Sequence, residues 1–173
     1  MVKKSVISIV LIGLFLFIFS MNVMAVSPST PSEKDKCPVC GMQVKPYPNW
    51  VAEIVMKDGT RFFFDGPKDM FKFYFNVKKY APGRSQSEIE AVYVTDYYST
   101  KMVDAKGQDV YFIPGSDVKG PMGMEIVPVK GKEQAETFMK DHNGKKMLRF
   151  DEVTMKDVPM GMKGMKGMKM KGM

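Results

Sequence analysis

Histidine and cysteine are scarce in this chain of 173 residues, which contains one histidine and two cysteines. His142 has no sequence signal that connects it to a nucleophile or to an orienting acid, so catalysis finds little support. A structural zinc site needs four protein ligands, and Cys37, Cys40 and His142 supply three. We therefore predict that the protein is not an enzyme, and a closed zinc site would require a dimer.

The chain also lacks an apolar run long enough to cross a bilayer, because Ser5–Phe19 has 15 residues and a span needs ~20. Two lysines precede this run and Val23-Met24-Ala25 follows it, which is the pattern of a secretory signal with a small-residue cleavage site. No cysteine stands at the cleavage point, so nothing indicates a lipid anchor. We predict a signal peptide over residues 1–25, with an uncleaved anchor as the weaker alternative, and a periplasmic location.

Signals for nucleic-acid and nucleotide binding are missing as well. The formal net charge is +7, but part of it lies in a C-terminal tail that is too local and too poor in aromatic residues to indicate a nucleic-acid groove. The loop Gly115–Gly123 contains glycines and a lysine but lacks the Gly-Lys-Ser/Thr ending of a phosphate loop. We expect no nucleic-acid partner and no nucleotide.

Sulfur is concentrated in the stretch Cys37–Met42, which places three sulfur side chains within six residues. Soft thiolate and thioether ligands select Cu(I), and Met42 favours copper over zinc or an iron–sulfur cluster. A thioredoxin-like redox pair is a second interpretation, although such a pair normally lies between a strand and a helix. A plain disulfide, which an oxidising compartment permits, is a third. The residues alone leave all three open.

The first half of the mature chain has the pattern of a ββαβ unit. Residues 26–36 are rich in Ser, Pro and charge and predict a flexible linker. Apolar runs at 51–56 and 60–65 flank an Asp-Gly turn, which predicts a β-hairpin, and residues 91–95 predict the next strand. Gly66 and Pro67 predict the start of an intervening helix that runs to Lys79. Its predicted buried stripe consists of Met70, Phe71, Tyr74, Phe75 and Val77.

A similar order of predicted strands and helix begins again after residue 99. Residues 100–104 and 109–113 predict a second hairpin, an irregular loop follows at 114–123, and 124–129 predict a strand. The predicted second helix, 132–142, ends at Asn143-Gly144, and 147–150 predict a closing strand. We therefore expect a single α+β domain over residues 37–155, made of two ββαβ-like halves with antiparallel sheets and followed by a Met-rich tail over 156–173.

Four sequence blocks occur in order along the chain, namely Cys37–Met42, Phe64–Met70, Val94–Tyr98 and Gly115–Gly123. Together these blocks resemble the NosL family of accessory proteins for nitrous oxide reductase. The resemblance implies a protein that carries Cu(I) to a copper enzyme, on a fold of two ββαβ-like halves. It also implies two kinds of partner, which are nitrous oxide reductase and copper-export or maturation proteins.

The resemblance further implies which residues hold the metal. Cys40 and Met42 correspond to the second cysteine and the methionine of the family motif, and Met122 matches the methionine of its Pro-Met-Gly loop. Met124 is a neighbouring candidate, and Cys37 either assists or protects Cys40 by pairing with it. A turn at Gly41 would let the thiolate and the thioether of the motif point at one ion. We expect a monomer or a metal-bridged dimer with at most weak membrane association.

Two features depart from the usual family pattern. Family members are typically lipoproteins, and this chain lacks the lipid-accepting cysteine. Its tail Met160–Met173 contains only Met, Gly and Lys. The copper client could therefore differ from that of the family.

The remaining methionines and polar residues have simpler explanations. The apolar methionine positions predict flexible core filling, and they are Met56, Met70, Met139 and Met147. His142 at the end of a helix predicts a cap. The aspartates are predicted to be turn, cap and surface residues, and they are Asp58, Asp65, Asp69 and Asp96.

The tail Met160–Met173, with six Met, four Gly and four Lys, is predicted to be disordered without metal and to collect Cu(I) weakly through its thioethers. A copper-storage segment and a plain solvated tail are the alternatives.

Truncation after Pro159 should leave the fold and the tight site intact, but it should lower the number of weakly bound Cu(I) ions and slow loading from a dilute source. Equal stoichiometry and equal uptake rates would contradict the collecting role, and unfolding of the truncated protein would contradict disorder.

Overall fold

The computed structural model describes residues 26–159. The predicted signal peptide, 1–25, and the Met-rich segment 160–173 lie outside the described residues. The main elements are β1 (Ala52–Met56), β2 (Arg61–Phe64), α1 (Pro67–Phe75), α2 (Val77–Tyr80), β3 (Ile89–Thr95), β4 (Met102–Asp104), β5 (Val110–Gly120), β6 (Gly123–Lys130) and α3 (Lys132–Asp141). Within residues 26–159, no helix has the length and apolarity that crossing a bilayer requires.

Four strands form an antiparallel sheet in the order β2-β1-β3-β4. The predicted first hairpin is confirmed, because β1 pairs with β2 across a turn in which Gly59 has a φ of +83°. The Asp58 carboxylate stabilises this turn by accepting the Thr60 N–H at 3.0 Å. All five residues of the central strand β1 are buried.

Helix α1 begins at Pro67 as predicted, but it ends at Phe75 because Asn76 leaves the helical region with a φ of −137°. The predicted continuous helix to Lys79 is therefore wrong, and α2 is a separate turn. The predicted stripe also missed Phe73, whose ring packs 4.7 Å and 5.3 Å from the rings of Phe62 and Phe64 on β2. Tyr74 and Phe75 are only half-buried.

The predicted second hairpin is wrong in its pairing. Strand β4 pairs with β3 and joins the first sheet, whereas β5 pairs with β6 in a separate two-stranded sheet. The segment predicted to be an irregular loop is mostly strand, since β5 continues to Gly120 and turns at Pro121-Met122. A register shift after Pro114 accommodates a residue that cannot donate to the ladder.

Helix α3 lies where predicted, and Asn143 ends it with a φ of +55°. The predicted closing strand is reduced to one bridge between Leu148 and Phe112, after which the chain turns through Phe150–Glu152. The fold is thus the expected α+β domain with antiparallel sheets, but its second half is a hairpin, a helix and one bridge.

The β5–β6 hairpin joins two apolar clusters. Phe112 and Ile126 belong to the cluster that contains α1 and the first sheet. The neighbouring positions Ile113, Val127 and Val129 belong to a second cluster with Ala135 and Phe138 of α3. Because successive side chains of a strand point to opposite faces, one hairpin can serve both clusters. This sharing makes the two halves one domain.

The predicted linker, 26–36, lies along the first sheet. The Ser29 backbone N–H and hydroxyl donate to the Glu53 carboxylate at 2.9 Å and 2.7 Å. Glu53 is buried and also pairs with Arg61, whose guanidinium reaches the Ser27 carbonyl at 3.1 Å. The linker is therefore attached to the sheet at several points.

The start of α1 receives its cap from another element. Gly66 at the cap position has no side chain, and the Lys68 N–H donates to the Glu125 carboxylate of β6. A carboxylate at a helix N-terminus satisfies an orphan donor and suits the helix dipole. A Cβ on Gly66 would lie 2.4 Å from the Glu125 Oε2 atom, so glycine is required for this close approach.

Burial raises the pKa of Glu125 to about 8 from its ordinary value of 4.5. Between these pH values the folded protein retains a proton that the unfolded chain has released. The free energy of unfolding should therefore fall as the pH rises from about 4.5 to about 8, by at most about 1.4 kcal/mol per pH unit from this group. Urea unfolding at several pH values in this range measures the free energy of unfolding, which should change less with pH in Glu125→Gln than in the unsubstituted protein. An equal pH dependence of the two proteins would contradict the raised pKa of Glu125.

Candidate metal centre

The stretch Cys37–Met42 folds into a closed turn. The Cys37 N–H donates to the Met42 carbonyl and the Gly41 N–H donates to the Cys37 carbonyl, both at 2.8 Å. Gly41 has a φ of +80°, as expected for a turn at this position. The thiol of Cys37 is part of the core, with 1% of the residue exposed, whereas Cys40 is partly exposed. The motif is therefore built into the fold.

Two aspartates face this turn. The Cys40 thiol donates to the Asp65 carboxylate at 3.2 Å, and the Cys37 thiol lies 3.7 Å from the Asp69 carboxylate. The two sulfur atoms and one oxygen of each aspartate all lie within 4.8 Å of one another. These four residues form one compact cluster, which we call the Cys–Asp cluster.

The local sequence explains why both aspartates reach this place. Strand β2 ends at Phe64 and α1 begins at Pro67, so Asp65 stands in the short connection and Asp69 in the first helical turn. Carboxylates are favoured there by the helix dipole. Lys72, one turn further on, binds the Asp69 carboxylate at 2.8 Å and compensates part of its charge.

The cluster opposes ionisation of its buried thiol. The pKa of Cys37 is raised by its hydrogen bond with Cys40, by burial and by the negative charge of Asp65. Cys37 is therefore held as a thiol in the metal-free protein, and a metal that binds its sulfur must displace the proton. An activated redox nucleophile requires the opposite, a lowered pKa.

The three predicted methionine ligands lie on different elements, which are the closed turn, the β5–β6 turn and β6. Met42 belongs to the closed turn and is partly buried. Met122 lies in the turn between β5 and β6, and its carbonyl accepts a hydrogen bond from the Lys68 ammonium at 3.1 Å. Met124 is 51% exposed, and its side chain lines a surface cavity with Lys145 and Pro159 that none of the four cluster residues lines. The structure thus brings the two cysteines together, and Met124 lies on β6 beside a cavity that none of the four cluster residues lines.

Sequence reasoning missed Asp65 and Asp69 as site residues. Both were predicted to be cap or surface residues, but they are only 2% and 3% exposed and lie against the thiols. Their spacing across the helix start in the second family block was the available signal, yet the same spacing also suits ordinary capping. Asp96 is likewise buried, where it accepts the Ser99 and Lys130 N–H groups.

The other predicted residues keep structural roles. Met56 and Met70 are fully buried in the first cluster, as predicted, and Met139 packs against the second. His142 is the C-cap residue of α3, and its ring nitrogens lie 3.1 Å from the Asp117 carboxylate and 3.4 Å from the Tyr97 hydroxyl. This histidine is therefore engaged away from the Cys–Asp cluster.

The donor set combines two soft sulfurs with two hard oxygens. Thiolates suit Cu(I), whereas carboxylates are poor partners for that ion. All four atoms together suit Zn(II), which accepts Cys and Asp in tetrahedral geometry. The earlier objection that one chain offers too few zinc ligands is therefore wrong, because Asp65 and Asp69 complete the set.

Comparison with known proteins identifies relatives of this chain. The NosL family model matches residues 28–158. The crystal structure of the copper chaperone NosL from Shewanella denitrificans is 24% identical, with a TM-score of 0.63 over 76% of this chain and 97% of the Shewanella chain. A solution NMR structure of the apo-NosL protein from Achromobacter cycloclastes is 20% identical, with a TM-score of 0.44 over 62% of this chain and 87% of that one. No curated protein matches the chain. The Shewanella match shows a shared fold.

The two thiols should differ in reactivity. Iodoacetamide should modify Cys40 faster than Cys37 in the folded, reduced protein, because Cys40 is partly exposed while Cys37 is buried and has a raised pKa. Peptide mass spectrometry over a time course measures both rates. In denaturing urea the two rates should converge, and equal rates in the folded protein would contradict the geometry.

Proposed function

The chain belongs to the NosL family, and we propose that it is an exported copper chaperone that binds Cu(I) and delivers it to a copper enzyme. The observation that carries this proposal is the Cys–Asp cluster, in which two thiols and two carboxylates lie within 4.8 Å of one another. The proposed client is nitrous oxide reductase, and the proposed place of delivery is the periplasm.

The proposed ligands are sulfur atoms. Cys40 is the principal thiolate, because its partial exposure lets a donor or an acceptor protein approach it. Met42 supplies a thioether from the same closed turn, and Met122 supplies one from the β5–β6 turn. Cys37 is a second, buried thiol next to Cys40, which either assists it or protects it by pairing with it. Met124, which is half-exposed, is the candidate for a transient contact as the ion enters or leaves.

The carboxylates of Asp65 and Asp69 have a supporting role in this proposal. Each accepts a hydrogen bond from one thiol in the metal-free protein. When Cu(I) displaces the thiol protons, the carboxylates contribute negative charge near the cation without ligating it, because hard oxygen atoms bind Cu(I) poorly. In such a site the carboxylate charges attract the cation, while the atoms that bind it are soft sulfurs.

A carrier explains the cluster better than an oxidoreductase does. A Cys-x-x-Cys enzyme activates its nucleophile by lowering the pKa of the thiol. Here the pKa of Cys37 is raised by its hydrogen bond with Cys40, by burial and by Asp65. An insulin-reduction assay is the direct check, and we expect no activity above that of a Cys37→Ser variant.

Zinc binding is the second candidate, and the completeness of the four-donor set favours it. A Zn(II) site would use both carboxylates as ligands. The two candidates therefore differ in what the aspartates do. Replacing Asp65 by Asn should weaken Zn(II) binding much more than Cu(I) binding, because only zinc would lose a ligand atom.

We predict that the reduced protein binds one Cu(I) tightly and that Cys40→Ser abolishes this site, because a neutral hydroxyl cannot replace a soft anionic ligand. Anaerobic titration against a chromophoric Cu(I) chelator measures the affinity and the stoichiometry. Met42→Leu and Met122→Leu should each weaken binding. Met139→Leu is the matched control, since it removes a thioether that packs against the second cluster.

Unchanged Cu(I) affinity in Cys40→Ser would contradict the proposed site. A loss of affinity in Met139→Leu equal to that in Met42→Leu would show that thioether removal acts through stability. Thermal unfolding of each variant separates these cases.

A further inference from the structure

Lys68 occupies an unusual position for a lysine. It lies in the first turn of α1 and only 1% of the residue is exposed. Lysine is almost never fully buried without specific partners, because a buried ammonium loses its hydration. The Lys68 ammonium must therefore have a specific set of partners.

Those partners belong to one turn of the chain. The Lys68 ammonium donates to the Met122 carbonyl at 3.1 Å and to the Met124 carbonyl at 3.0 Å. The Glu125 carboxyl group of the same hairpin lies 3.9 Å away. Residue 68 also donates its backbone N–H to the Glu125 carboxylate. Lys68 is thus hydrogen-bonded to the β5–β6 hairpin near its turn through both its side chain and its backbone.

The same short segment also contacts the Cys–Asp cluster. Asp65 and Asp69 flank Lys68 in the sequence and lie against Cys40 and Cys37. The helix start therefore contacts both the cysteine turn and the turn that carries Met122.

We propose that Lys68 is a positioning residue for the copper site, which holds the Met122 turn at the distance from Cys40 at which both sulfurs reach one ion. This inference rests on the proposed function, in particular on Met122 as a ligand. Lysine suits the task because its ammonium has three donors on a long stem and can serve two carbonyls at once. Lys68 itself does not ligate the metal, since a charged ammonium has no lone pair.

Charge and positioning predict opposite changes of Cu(I) affinity when Lys68 is replaced. An ammonium near a cation site repels the cation, so a purely electrostatic role predicts tighter Cu(I) binding in Lys68→Leu. Positioning predicts weaker binding, because the Met122 turn loses its attachment. Lys72→Leu is the matched control, since it removes an equal charge from the same helix, beside Asp69. Leucine is chosen because it adds no sulfur ligand.

The experiment is a Cu(I) competition titration on the chain without residues 1–25. It compares Lys68→Leu, Met122→Leu, the double variant and Lys72→Leu with the unsubstituted protein. We expect Lys68→Leu to weaken binding at least about tenfold, as the loss of a supporting group around a metal ligand typically does. Met122→Leu should then add little in the double variant, because its thioether is already displaced. Lys72→Leu should not weaken binding.

Unchanged or tighter binding in Lys68→Leu, or full additivity of the two substitutions, would overturn the proposal. Weaker binding in Lys72→Leu by the same factor would also overturn it, because a general loss of stability would then explain the effect. Lys68→Gln, which keeps one polar donor group, replaces Lys68→Leu under the same criteria if the latter does not fold.

A measurement without metal separates this proposal from the proposed function. Hydrogen exchange at the amides of residues 119, 120 and 122–124 should be faster in Lys68→Leu than in the unsubstituted protein, because the turn is no longer held. Equal exchange would overturn the positioning role whatever copper does. Unchanged Cu(I) affinity in Cys40→Ser would instead overturn the proposed function, and the exchange result would still decide whether Lys68 holds the turn.

Discussion

The Lys68 ammonium lies where water cannot solvate it, so the protein must supply its hydrogen-bond acceptors. The Met122 and Met124 carbonyls accept hydrogen bonds from it, and the Glu125 carboxyl group of the same hairpin lies 3.9 Å away. Glu125 meanwhile caps α1 by accepting the Lys68 N–H. This buried contact thus determines where the hairpin turn meets the helix, and the Cys–Asp cluster contacts the same helix start through Asp65 and Asp69. In our proposal, the relative position of the candidate sulfur ligands depends on this contact.

The core explains how such a contact can be held. Phe112 and Ile126 of the β5–β6 hairpin are buried with α1 and the first sheet, while alternate residues pack under α3. The hairpin cannot shift relative to α1 without disturbing both clusters, because close-packed side chains leave little free volume. Apolar packing therefore provides the rigid frame, and the Lys68 contacts fix the turn at its end. A metal site assembled from separate segments needs such a frame, since its ligands must converge without help from neighbouring sequence.

The Cys–Asp cluster combines features that suit transfer of a cation. Its two thiols are not equivalent, since Cys37 is buried with a raised pKa and Cys40 is partly exposed. The carboxylates provide negative charge beside soft ligands, and the thiols release protons when a metal binds. The same four donors suit a zinc site, so the softness of the ligating atoms decides which of the two ions the cluster favours.

Local patterns in the sequence were enough for the α+β class, the first hairpin around Gly59, the start of α1 at Pro67 and the end of α3 near Asn143, because turn and cap preferences act over a few residues. They were also enough to single out the Cys37–Met42 motif, and four blocks in order along the chain were enough for the family resemblance. They were not enough for the pairing of β4, which joins β3 instead of β5, because a short strand can satisfy its hydrogen bonds at any free sheet edge. Nor could they place Asp65 and Asp69 beside the thiols or join Lys68 to Glu125, which lies 57 positions away along the chain. A carboxylate at a helix start looks like an ordinary cap in sequence, and only tertiary packing decides whether water, a thiol or a buried ammonium faces it.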